Sequence, residues 1–183
     1  MNLNPLDIVI VNNHSGLLSR LIRFFSRVDW THTAIGFLSF NEKRPTIFEA
    51  NLTVGVSDWK RLFNSYADLR VYSWTELAGI SDSKKEEIAW LLYDKYNNNV
   101  YGIFQLLYFV WRYLCEILHL PRKWYLKNMF PDKEICTEVI YVGFLELHNS
   151  VVDSVLAGTG FDQNTVHPGD IIRICDELVD AGL

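Results

Sequence analysis

Basic charge is the first thing this sequence is short of. Lys and Arg number 17 against 22 Asp and Glu, giving a net charge of −5 and a pI near 5.5. Nucleic-acid binding rests on basic side chains that neutralise phosphates, so nucleic acid and free polyanions are poor partners for this chain. Cysteine is also scarce. The three residues Cys115, Cys136 and Cys175 are an odd count with no C-x-x-C spacing, which argues against a disulfide framework and a zinc site and fits a reducing compartment. A membrane-spanning helix needs roughly 20 mostly apolar residues, and the most apolar stretch, Ile103 to Leu118, is interrupted by Gln105, Arg112 and Glu116. Met1-Asn2-Leu3-Asn4-Pro5 has neither the basic nor the apolar region of a secretory signal. The expectation is a cytoplasmic protein, or a phage-encoded one released by lysis or carried in a particle. Gly158-Thr159-Gly160 follows no strand pattern, so no phosphate-cradling loop is inferred. No linker or low-complexity tract divides the chain, and one domain over residues 1–183 is expected.

What is present is enough for a real core. Hydrophobic residues make up 49% and aromatics 14% of 183 residues, the composition of a folded chain. Asp7-Ile8-Val9-Ile10-Val11 is a β-branched run that reads as a buried strand. Leu17 to Ser26 places Leu17, Leu18, Leu21, Ile22 and Phe25 on one helical face. Strands are expected over Thr31 to Phe37, Thr46 to Ala50 and Leu69 to Ser73, the first two joined as a hairpin-like pair through Asn41 to Pro45.

The middle reads as helical. Ser83-x-x-Glu86 matches a capping box, followed by Ile88, Leu91 and Leu92, with Asn97-Asn98-Asn99 as the stop. From Ile103 to Leu118 a second pattern sets Leu106, Phe109, Val110, Tyr113, Leu114 and Ile117 on one face. A core helix is the first reading and an interfacial helix the alternative, since Tyr108 and Trp111 widen the apolar arc. Pro121 to Lys133 is basic and aromatic and reads first as a solvated surface connection leading to Cys136, with peripheral contact with a membrane or cell-wall polymer as the alternative. His167-Pro168-Gly169-Asp170 reads as a turn into a strand Ile171 to Ile174, echoing the entry Pro5-x-Asp7-Ile8.

Two segments carry the chemistry. A thiol attacks only as its thiolate, and the positive end of a helix lowers its pKa. Cys136 opens a segment whose Val139, Ile140, Gly143, Phe144 and Leu147 have helical spacing, so it stands where a nucleophile would. The competing reading is a small buried hydrophobe, which suits Cys115 and Cys175 better. His32 shares a strand face with Ala34 and Gly36, and those small neighbours leave room for the Cys136 helix to approach. Glu49 is a lone carboxylate in Ile47-Phe48-Glu49-Ala50. It is either an outward-facing edge residue or, if the strands pair, an acceptor for the second imidazole nitrogen. His14 and Tyr101 are candidates to line the substrate pocket, although a polar loop residue and a packing aromatic explain them as well. A metal site from His14, His32 and Glu49 has no supporting spacing, so neither metal nor cofactor is expected.

Trp30-Thr31-His32-Thr33-Ala34-Ile35-Gly36, Phe48-Glu49-Ala50, Tyr101-Gly102-Ile103 and Cys136-Thr137-Glu138-Val139, in that order, together resemble the permuted NlpC/P60 papain-like superfamily. The YiiX/YebB-type group is the nearest branch, with lecithin-retinol acyltransferase-like proteins as more distant relatives. The order of histidine before cysteine, the reverse of papain's, is part of that resemblance. It covers most of the chain, from Asp7 to about Ile174. It implies an α+β, circularly permuted papain-like fold in which an antiparallel sheet packs against helices, with the nucleophile at a helix N-terminus. It further implies Cys136 as nucleophile, His32 as base and Glu49 as the residue orienting the base. Thr137 stands where serine is commoner, and residues 103–133 look like a helical, aromatic insertion that leaves the substrate class open.

The function implied is a cysteine amidase or peptidase acting through an acyl-thioester on a peptidoglycan-like or other modified peptide amide. The alternatives are a lipid-directed acyltransferase or acyl hydrolase acting on a lipid amide or ester, and a non-catalytic virion or binding protein that retains the fold. Scissile bond, acyl acceptor and oligomeric state are not read from the sequence.

Overall fold

A computed structural model describes residues 3–12, 17–26, 28–37, 46–50, 53–58, 68–73, 79–99, 111, 114–115, 117–121, 136–161 and 166–181. Within them the strands are β1 (Ile8–Asn12), β2 (His32–Phe37), β3 (Thr46–Ala50), β4 (Val54–Asp58) and β5 (Asp68–Tyr72). The helices are α1 (Leu17–Ser26), α2 (Asp82–Tyr96), α3 (Cys136–Glu146), α4 (Ser150–Thr159) and α5 (Pro168–Asp180). The strands form one sheet in the order β4-β3-β2-β1-β5, antiparallel at every pairing.

The interior place of β1, between β2 and β5, explains its composition. Both neighbours pair with it and every residue of it is buried, so both faces must be apolar. Side chains alternate across the sheet. Ile8 and Ile10 join the main core with Ile35, Phe37, Phe48 and the helices, whereas Val9 and Val11 pack with Ala34 and Ile47 in a smaller cluster on the opposite face. The aromatic rings of Phe37 and Tyr93, 5.6 Å apart and stacked, seat α2 on the main face. Every residue of α3 from Cys136 to Phe144 is buried. A helix that is apolar all round belongs inside, and α3 packs on β2 and β3 while also touching α2, α4 and α5.

Several expectations require correction. Residues 171–174 are not a strand but part of α5, whose Ile171, Ile174, Cys175 and Leu178 are buried at helical spacing. The preceding turn is a capping box: His167 Nδ1 accepts from the Gly169 and Asp170 amides, and Asp170 Oδ2 accepts from the His167 amide at 2.9 Å. Pro168 at the first position of the helix suits it, because that residue's amide has no partner to lose. The likeness to the β1 entry is therefore one of letters only. Residues 158–159 belong to α4, and Gly160 closes it in the left-handed conformation at φ 64°. Asn149 caps the start of that helix by accepting from Val151 and Val152. In α2 the cap is Ser81, accepting from Lys84, and not Ser83.

β4 was not anticipated. Leu114 and Ile117 do not face the core: they are exposed, together with Trp111 and Leu118, while Cys115 between them is fully buried. Leu21 on α1 is likewise exposed. Ala34 and Gly36 do not make room for α3, which lies on the other face. Ala34 packs in the smaller cluster, and a side chain at Gly36 would collide with the Asn4 carbonyl oxygen. The room serves the start of the chain, pinned there by Leu6 N–H donating to Gly36 O and Gly36 N–H to Asp7 O.

Candidate active site

His32 opens β2 and Glu49 lies on β3, whose register pairs Ala34 with Glu49. His32 is thus one diagonal step from Glu49 on the same face, a spacing that long side chains bridge. Its Nε2 sits 2.8 Å from Glu49 Oε2. The next strand repeats the step. Ile47 pairs with Ser57 and Glu49 with Gly55, so Ser57 is diagonal to Glu49 and donates its hydroxyl to Oε1 at 2.5 Å. Both carboxylate oxygens are engaged. That is what a carboxylate with 3% side-chain exposure requires.

Cys136, 6% exposed, is the first residue of α3. It meets the strand end where His32 and Thr33 lie, and its sulfur is near enough to both for them to shift its titration. The Thr33 hydroxyl is buried and has no hydrogen-bond partner among the described residues. Because Glu49 holds Nε2, the other ring nitrogen is left for the thiol. The next residue anchors the helix start, with Thr137 Oγ1 donating to Val166 O at 2.7 Å inside the core.

Burial alone would lower the imidazole pKa and raise that of the thiol. The hydrogen bonds and opposite charges outweigh it. His32 is raised to about 10 by Cys136 and Glu49, and Cys136 is held below the ordinary thiol value by His32 and Thr33. Each group favours the charged form of the other, as in a thiolate–imidazolium pair.

The linkage has a definite sign. Unfolded, the groups titrate near 6.5 and 9.0. His32, whose pKa is raised on folding, contributes stability that is fully present below 6.5 and is lost as pH rises towards about 10, whereas Cys136, whose pKa is lowered, contributes stability that is fully present above 9.0 and is lost as pH falls. Above 9.0 the unfolded thiol loses its proton while folded His32 keeps its own to about 10, and stability falls with rising pH. An NMR titration of the His32 ring is expected to show it still protonated at pH 8. A midpoint near 6.5 would contradict the pairing.

Among the described residues, neither of the other thiols stands beside an imidazole–carboxylate pair. Cys175 lies in α5, where burial and Asp176 push its thiol well up. Cys115 is buried. His14 and Tyr101, both expected to line a pocket, lie outside the described residues. Ser57 and Thr33 were missed. The signal for Ser57 was available only after β4 was recognised, because its role follows from strand register.

Fold and site together define an α+β protein in which an antiparallel sheet and a packed helix bring a thiol, an imidazole and a carboxylate together. The crystal structure titled metalloprotein YiiX from Escherichia coli O157:H7, DUF1105, has a similar fold. Its TM-score is 0.52 at 19% sequence identity, over 79% of this chain and 66% of that one. This chain thus spans just under two thirds of that protein's length, and YiiX is of the YiiX/YebB-like group. No family model and no curated protein matches the sequence.

Proposed function

We propose that this protein is a cysteine hydrolase of the permuted papain-like kind, cleaving a peptide amide of the peptidoglycan type with Cys136, His32 and Glu49. The observation that carries the reading is the bond of His32 Nε2 to Glu49 Oε2 at 2.8 Å, with the Cys136 thiol at the start of α3 near enough to the ring for each to shift the other's titration. In this mechanism the Cys136 thiolate adds to the carbonyl carbon. The C–N bond breaks as His32 delivers its proton to the departing amine, leaving an acyl-thioester. Water then attacks the thioester, giving its proton to the neutral imidazole, and the carboxylic acid leaves as the thiolate–imidazolium pair reforms. The backbone N–H of Cys136, in the first turn of α3, supplies one donor for the oxyanion.

The structural neighbour is titled a metalloprotein. Among the described residues no group of three His, Cys, Asp or Glu side chains could hold a metal ion, and His32 Nε2 is engaged by Glu49. These residues do not fit a metal, and no step is routed through one. A second reading, a lipid-directed acyl hydrolase or acyltransferase, is favoured by one observation: Trp111, Leu114, Ile117 and Leu118 are all exposed. Among the described residues, no helix is long and apolar enough to cross a membrane, so such an enzyme would work from the lipid surface.

One experiment separates the readings. Wild-type protein and Cys136→Ala are incubated with muropeptides in one arm and with mixed phospholipid vesicles in the other, and adducts and products are read by mass spectrometry. The expected result is an acyl adduct on Cys136 and a new carboxyl product with muropeptides, both lost in Cys136→Ala. Acyl transfer from the vesicles alone would favour the lipid reading. Turnover retained by Cys136→Ala would overturn both.

A further inference from the structure

Ser57 sits at the far end of the line of contacts from Cys136. Its hydroxyl donates to Glu49 Oε1 at 2.5 Å, while Oε2 of the same carboxylate meets His32 Nε2 at 2.8 Å. The three residues lie on three adjacent strands, β4, β3 and β2, each one diagonal step from the next on one face of the sheet. We infer that Ser57 is a positioning residue for the site, holding the Glu49 carboxylate ionised and in the plane that its bond to His32 requires; this rests on the catalytic reading above.

A buried carboxylate responds to the loss of a hydrogen-bonding partner in charge and in orientation. Glu49 has two oxygens and 3% side-chain exposure. With both oxygens bonded, the anion is stabilised and the side chain cannot swing about its last torsion. Without the Ser57 hydroxyl, two changes follow. The carboxylate binds a proton more readily, because hydrogen bonds to the charged form are what hold its pKa down. Its plane is also fixed from one side only. Either change weakens the negative partner of the His32 imidazolium, and the Cys136 thiol then keeps its proton to higher pH. Ser57 touches none of the reacting atoms, so its effect should appear in the pH dependence of the thiol and not in substrate contacts.

A short hydroxyl is suited to this place. Asp at 57 would set a second negative charge against Glu49, and Lys would compete with His32 for the carboxylate. Serine gives one donor and no charge. Ser57 is only half-buried, so water is the natural competitor for its role, and the experiment must decide between them.

The test is the rate of carboxamidomethylation of Cys136 by iodoacetamide from pH 4.5 to 9, resolved from Cys115 and Cys175 by peptide mass mapping of the intact, folded protein. Ser57→Ala is expected to move the acid limb up by about one pH unit, so that rates low on that limb fall by about tenfold. Ser57→Thr, which keeps the hydroxyl, is expected to restore the wild-type limb. Should Ser57→Ala fail to fold, Ser57→Val against Ser57→Thr gives the same comparison at nearly constant shape. A Ser57→Ala profile that superimposes on wild type overturns the inference, since water or nothing would then suffice at Oε1. A wild-type Cys136 no more reactive than Cys115 and Cys175 would instead overturn the catalytic reading itself, so the two failures are distinguishable.

Discussion

Iodoacetamide at pH 6 is expected to modify Cys136 more than about tenfold faster than Cys115 or Cys175 in the folded protein. A free thiol titrating near 8.5 is less than about 1% thiolate at that pH, so an unactivated cysteine reacts slowly even when exposed. Cys136 starts with a handicap, being 6% exposed, yet His32 and Thr33 lower the pKa of its thiol. Cys175 has the opposite setting, with burial and Asp176 both opposing ionisation. A lower pKa also makes a thiolate a weaker nucleophile. That loss is smaller than the gain in ionised fraction, so the sign of the prediction stands. Peptide mass mapping over a time course measures it. Equal rates at the three cysteines would mean that the His32 contact does not ionise the thiol.

Glu49→Ala carries the largest expected cost to the folded protein. Removing one partner of a buried, hydrogen-bonded ion pair costs about 3–5 kcal/mol when the charge left behind cannot leave. Here it can leave, because the imidazolium can release its proton, so the stability loss should lie towards about 3 kcal/mol or below. The chemical consequence is then larger than the structural one. A neutral His32 no longer holds Cys136 as thiolate, and Cys136 alkylation at pH 6 should fall by more than about tenfold. Glu49→Gln separates the two effects, since it keeps the shape and removes the charge. Denaturant unfolding and the alkylation profile, measured on both variants, check these expectations. An unchanged profile in Glu49→Gln would show that the carboxylate is a structural tie and nothing more.

The sequence made the site more legible than the fold around it. His32, Glu49 and Cys136 could be singled out because each is the wrong residue type for its neighbours: a base and an acid in apolar strands, and a thiol at a helix start. Strand period then set His32 and Glu49 on a common face, and the register agrees. The period cannot say which face a helix covers, and for that reason the space beside Ala34 and Gly36 was given to α3 when the chain start fills it. α5 was hidden by window length. Ile171 to Ile174 alone looks like a strand, and the spacing that marks a helix emerges only when Cys175 and Leu178 are included. Its cap is a histidine, a residue outside the usual Ser, Thr, Asp and Asn set. β4 is short and contains Gly55, which weakens any strand signal, and with β4 unseen Ser57 could not be placed.

The sheet is two-sided, and so is the site. His32 and Glu49 point to the face of the smaller cluster of Val9, Val11, Ala34 and Ile47, whereas Cys136 rides on a helix bedded in the larger core on the other face. Among the described residues the halves meet at the end of β2. Each core therefore sets the position of one side chain of the candidate pair, and the alignment of thiol with imidazole reports how the two cores sit relative to each other. A small slippage in either can leave the protein folded yet place the sulfur out of reach of the ring.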